Sequence, residues 1–144
     1  MRKILLFLGF IFLCSQAHVY AESLMTKVTV IIASNQGNDF DLENDAYRDK
    51  LIALFSYTSY KQVNQYSIRL EEGKQQSLAL ADGYQLSMTL YKQAKDRNVL
   101  RVLIQKENRT HLSTELSLSG NGPVFLGGPP AHSGDLLLAI EPLA

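Results

Sequence analysis

From Ser56 onward, apolar residues recur at every second position, and that period fixes the fold class before any other feature. In "YQLSMTLYK", Tyr84, Leu86, Met88 and Leu90 alternate with Gln85, Ser87 and Thr89. "VLRVLIQ" sets Leu100, Val102 and Ile104 against Val99, Arg101 and Leu103, and "HLSTELSLS" sets Leu112, Thr114 and Leu116 against His111, Ser113 and Glu115. "YSIRL" places Tyr66, Ile68 and Leu70 on one side, and "QSLAL" pairs Leu78 with Leu80. Successive side chains of a strand point to opposite faces, so each run has one face for a core and one for water. The joints "EEGK", "ADG", "QAKDRN", "KENR" and "SGNGP" are turn-like and short. Short joints predict antiparallel hairpins, because parallel neighbours need crossovers of a dozen or more residues.

Upstream the pattern changes twice. "TKVTVIIAS" is rich in β-branched residues and predicts a first strand. "NQGNDFDLEND" follows as an acidic loop, then "LENDAYRDKLIALF", where Tyr47, Leu51, Leu54 and Phe55 share one face of a helix over residues 42–55. Asp39 or Asp41 is expected to cap its first turn. Near the C-terminus "DLLLAI" is apolar on both faces, which predicts a central strand covered on both sides. The chain is therefore read as mainly β: a small antiparallel β-sandwich or partly open barrel of about seven or eight short strands, meander-like, with one α-helix after the first strand.

The first residues read as a targeting segment. Arg2 and Lys3 precede an unbroken apolar run over residues 4–14, and Val19-Tyr20-Ala21 fits a small-x-small cleavage site. The expectation is a secretory signal peptide over residues 1–21, cleaved after Ala21, then one exported domain over residues 22–144, in the periplasm or outside the cell. The apolar run is short for a membrane helix, so no stable membrane anchor is expected after cleavage. Leu13 before Cys14 does not fit a lipoprotein signal, and without Cys14 the mature chain holds no cysteine. Disulfides, thiol chemistry and cysteine metal sites are thereby excluded from that domain. Removing two of the 14 basic residues leaves 12 against 14 acidic ones, a net charge near −2. Nucleic acid as a partner is disfavoured, because phosphate binding needs a positive field.

Chemistry-bearing patterns are few. The stretch "FLGGPPAHSGD" has no Lys for a phosphate loop, and Phe125 stands where the third glycine of G-x-G-x-x-G belongs. It predicts a turn: Gly127 and Gly128 permit positive φ, Pro129 and Pro130 stop ladder pairing, and Gly134 closes the turn before the last strand. His132 lies in this stretch and His111 on a strand, too few ligands for a zinc site. No G-x-S-x-G marks a nucleophile. Asp39, Asp41, Glu43 and Asp45 alternate as calcium ligands do, but the sixth and twelfth positions from Asp39 are Asn44 and Lys50 rather than Gly and Glu. Tyr57, Tyr60, Tyr66, Tyr84 and Tyr91 are read as strand-packing residues, and the absence of tryptophan weakens a carbohydrate platform. Asn108-Arg109-Thr110 matches a glycosylation sequon in an expected turn, a chance match if the host is bacterial.

These features point to a non-catalytic protein-interaction module, expected as an accessory of an envelope or secretion assembly, with another envelope or secreted protein as partner and no cofactor. A carrier of a small apolar ligand is the alternative, and a hydrolase the third. The candidate interaction loops are the acidic one, with Asp39, Asp41, Glu43 and Asp45, and the Gly-Pro one, with Gly127, Gly128, Pro129, Pro130, His132 and Gly134.

Overall fold

The alternating runs become the strands of two stacked sheets. The computed structural model describes residues 23–43, 45–94, 97–120 and 122–143. The expected signal peptide lies outside these residues. In chain order the elements are β1 (Ser23–Ser34), β2 (Phe40–Asp41), α1 (Tyr47–Leu54), β3 (Ser59–Glu71) and β4 (Gln75–Ala79). A 3-10 turn (Ala81–Gly83) leads to β5 (Gln85–Ala94), β6 (Arg97–Lys106), β7 (Arg109–Leu118), β8 (Val124–Ala131) and β9 (Gly134–Pro142). One sheet has the order β2-β3-β1-β9-β8 and the other β4-β5-β6-β7. The architecture is a β-sandwich, not a closed barrel, with nine strands among the described residues.

The meander expected after the helix is confined to the four-stranded sheet, where β4, β5, β6 and β7 pair in succession, each antiparallel to the next. Glu107 and Asn108 both take positive φ between Lys106 and Arg109, a two-residue loop whose twist suits the flanking strands. The joints "EEGK" and "SGNGP" are not hairpins. They carry the chain from β3 across to β4 and from β7 back to β8, between sheets. Length alone could not separate a hairpin turn from a short sheet-to-sheet link.

The inward alternation is realised. Leu86, Met88 and Leu90 of β5 and Leu100, Val102 and Ile104 of β6 are fully buried and pack on Val28, Val30, Leu136, Leu138 and Ile140 of the facing sheet. The final strand β9 lies between β1 and β8, as its apolar composition implies. Its two faces serve two cores. Leu136, Leu138 and Ile140 join the core between the sheets, while Leu137 and Ala139 join a second cluster with Ile31, Ala33, Leu42, Tyr47, Leu51 and Tyr60, on the face that α1 covers.

Two local expectations are corrected. The helix spans Tyr47–Leu54 rather than residues 42–55, its N-cap is Ala46, and neither Asp39 nor Asp41 caps it. Two turns suffice to lay Tyr47 and Leu51 on the sheet. Leu54 is 62% exposed and Phe55 continues as extended chain. The Gly-Pro stretch is not a turn either. Gly127, Gly128, Pro129 and Pro130 all lie within β8, and the turn is the two residues His132 and Ser133. An edge strand has a single neighbour, so proline's missing N–H is tolerated there. A bulge between Gly127 and Pro130, opposite Leu137 and Asp135, takes Gly128 and Pro129 out of the ladder. Among the described residues, no helix is long and apolar enough to cross a membrane.

Candidate functional site

The end of the five-stranded sheet where β1 finishes and β9 begins brings polar groups of two loops together. β1 ends at Ser34, whose hydroxyl donates to the Gln36 carbonyl (3.3 Å) and accepts from the Gln36 amide (3.4 Å), turning the chain. The loop is then tied to the start of β3. The Thr58 amide donates to the Ser34 carbonyl (3.1 Å), the Thr58 hydroxyl to the Gly37 carbonyl (2.7 Å) and the Tyr60 amide to the Asp39 carbonyl (2.8 Å). Beside it stands the β8–β9 hairpin. Gly134 presses on β1 so closely that a Cβ there would sit 2.1 Å from the Ala33 carbonyl oxygen. Glycine is required here for close approach rather than for φ.

Tyr57 joins the two loops. Its ring lies 6.3 Å from that of Phe55 and 6.1 Å from that of Tyr60, and its hydroxyl donates to the Asp135 carboxylate at the start of β9. That hydrogen bond, then burial, then the carboxylate's charge push the Tyr57 hydroxyl from 10.0 up to about 12. The folded value is raised, so the pair's contribution to stability is complete below pH 10.0 and is lost as pH rises toward about 12. Spectrophotometric titration of Asp135→Ala is expected to show one tyrosine midpoint returning from about 12 toward 10.0. An unchanged titration curve would contradict the pairing.

Together Ala33, Ser34, Asn35, Gln36, Tyr57, His132, Ser133, Gly134 and Asp135 line an open cleft of about 420 Å³. Its lining is hydroxyl, amide, imidazole and carboxylate, with no Lys or Arg. One Asp135 oxygen takes the Tyr57 bond, and the other has no hydrogen-bond partner among the described residues. Such a surface offers hydrogen bonds in both senses without attracting anions.

Of the residues singled out from sequence, His132 and Gly134 belong to this cleft, while Gly127, Gly128, Pro129 and Pro130 run away from it along the β8 edge. The acidic residues are elsewhere. Asp39 pairs with Lys61 at 3.4 Å, Asp41 lies on β2, the Glu43 amide donates to the Gln62 side chain at 3.2 Å, and the Asp45 carbonyl accepts from the Arg48 amide at 3.1 Å. β2 and β8 are opposite edges of one sheet, roughly 19 Å apart at about 4.8 Å per strand, so the four acidic residues share no site with the Gly-Pro residues, whereas Asn35 and Gln36 at the start of the acidic stretch meet His132 and Gly134 in the cleft. Among the described residues no three acidic or imidazole side chains gather as a metal site would need. His111 stands edge-on to the Tyr84 ring at 5.2 Å, and the Tyr84 hydroxyl donates to the Pro130 carbonyl at 3.0 Å, tying the sheets together. Ser34, Asn35, Gln36, Tyr57, Ser133 and Asp135 were missed. The polar triplet directly after an apolar strand was the available signal, but pairing it with Asp135 needs the β1–β9 register.

Tyrosine packing is realised at Tyr60 and Tyr84, which are buried, and not at Tyr91, which is 52% exposed. No family model matches the chain, and neither a curated protein nor a solved structure is found to be similar to it.

Proposed function

We propose that the protein is exported, to the periplasm or the cell exterior, and acts there as a non-catalytic protein-interaction module, an accessory of an envelope or secretion assembly that takes a partner's strand on an open sheet edge. One observation carries the reading. β3 is 13 residues long, but β2 pairs with it only at Tyr60 and Lys61, so residues 62–71 have no strand beside them on that side among the described residues. Unpaired N–H and C=O groups in such a row are a template for strand addition.

The other edges are better guarded. β8 carries two prolines and a bulge, and β7 carries Arg109, His111 and Glu115. β4 is five residues long, and its Ala79 carbonyl accepts from the Tyr66 hydroxyl at 2.7 Å. On β3 the run "VNQYSI" has neither charge nor proline, and its one irregularity is a bulge at Val63, where the register with β1 shifts. The carrier reading has less behind it, since large apolar side chains fill the inward positions of both sheets. The hydrolase reading has least, since His111 packs on Tyr84 and Asp135 already accepts from Tyr57.

The test is site-specific photo-crosslinking of the full chain in its host. A crosslinker at the exposed Ser67 of β3 is expected to capture one discrete envelope or secreted protein, and one at the exposed Ser117 of β7 is not. Adding lysines at Asn64 and Ser67 should abolish capture by a crosslinker at Arg69. Equal capture from both edges, or none from either, would count against edge pairing at β3.

A further inference from the structure

The hairpin that borders the cleft holds a residue that its backbone does not favour. The loop between Ala131 and Gly134 is two residues long, and of these His132 alone has positive φ, at 55°. A two-residue loop with positive φ at its first position is the II′ pattern, where glycine is the preferred residue. Three glycines lie within eight residues of this position, at 127, 128 and 134, yet the loop position itself is histidine. Asp82, Glu107 and Asn108 also take positive φ, and histidine is among the residues that tolerate it, so the conformation draws attention to His132 and the cleft beside it carries the argument.

The His132 side chain is exposed at the rim of the cleft, opposite Asn35 and Gln36 of the β1–β2 loop, with Ser133, Asp135 and Tyr57 completing the lining. We infer that this cleft is a binding site for a neutral saccharide, with His132, Asp135 and the Asn35–Gln36 amides hydrogen-bonding its hydroxyls. The size of the cleft, about 420 Å³, is in the range of small-ligand sites. Charge disfavours anions, and the cationic control in the test separates the neutral from the cationic case. Asp135 is the one formally charged residue in the lining, so phosphate, sulfate and carboxylate ligands meet no cation. Side-chain amides, a carboxylate oxygen and hydroxyls supply the mixed donors and acceptors that sugar hydroxyls require. With no tryptophan in the chain, the aromatic contribution comes from Tyr57, and binding is correspondingly weak. The site lies at an end of the sheet, away from the middle of the β3 edge, so it is independent of the strand-addition reading.

The experiment is NMR titration of protein purified from cells expressing the full chain, with chitotetraose and maltotetraose as probes and lysine amide as a cationic control. The expected result is saturable movement of the His132 imidazole and Tyr57 ring signals with one of the two saccharides. His132→Gly should melt at a higher temperature than the parent, because glycine suits the loop, and should bind that saccharide at least about tenfold more weakly, the loss of one or two hydrogen bonds. His132→Gly thus remains informative, since its folding is favoured rather than threatened. No saturable shift with either saccharide would overturn the assignment. So would a response to lysine amide alone, or unchanged saccharide affinity in His132→Gly.

Discussion

Replacing Leu138 by alanine is expected to lower the unfolding free energy by about 4 kcal/mol, read as a fall in the urea midpoint with little change in slope. Leu138 is fully buried on β9, a strand with neighbours on both sides, opposite Val30 of β1 and Leu126 of β8. Its side chain belongs to the core between the sheets, to which Leu86, Met88, Leu100 and Val102 contribute from the other layer. Strands paired on both sides relax little, so most of the vacated volume stays as a cavity. The adjacent Leu137 is the informative comparison. It points to the opposite face, into the cluster formed with Tyr47, Leu51 and Tyr60. Leu137→Ala should cost about 3 kcal/mol and should speed hydrogen exchange in α1 ahead of the four-stranded sheet. Equal loss of protection in both layers for both variants would show that the two cores are not separate.

The second large effect is expected at Gly134. Alanine there would bring a methyl carbon to 2.1 Å from the Ala33 carbonyl oxygen and 3.1 Å from the Ser34 Cβ. The nearest obstacle is backbone rather than a flexible side-chain end, so relief requires β1 and β9 to part where Ala33 faces Asp135. A cost of at least about 3 kcal/mol is expected, at the upper end for overpacking. The damage should appear first at the cleft, as faster amide exchange at residues 33–36. Gly120 is the control. Its Cβ would meet nothing within 4 Å and its φ is not in the left-handed region, so Gly120→Ala should stay within about 0.5 kcal/mol of the parent. Similar losses for the two variants would remove steric contact as the cause.

The two-residue period was enough to assign the inward face of every long strand in the four-stranded sheet, because alternation is a property of the strand itself. Leu86, Met88, Leu90, Leu100, Val102 and Ile104 are buried as their spacing requires. The doubly apolar "DLLLAI" likewise announced a central strand with cover on both faces, and it has both. The Gly-Pro stretch was misread because the same composition serves a turn and a bulged edge strand. Which of the two it becomes depends on whether a second neighbour stands beside it, and no residue within the stretch encodes that. The length of α1 was overestimated for a similar reason. Its apolar spacing continues through Leu54 and Phe55, but the sheet beneath accommodates Tyr47 and Leu51 and leaves Leu54 in solvent.

The cleft depends on tertiary structure throughout. Ser34, Tyr57 and Asp135 are separated by up to 101 positions, and they meet because β1 pairs with β3 on one side and with β9 on the other. His132 and Gly134 were visible as chemically notable residues, but not as neighbours of Asn35 and Gln36. By itself the sequence determined strand identity, the faces of the strands and the presence of one early helix, because these follow from local periodicity and side-chain volume. Sheet order, the crossing points between sheets, the open edge of β3 and the polar cleft were decided by tertiary structure alone. They depend on which strands lie side by side, and hydrogen-bond pairing between distant strands leaves no periodic trace in either one.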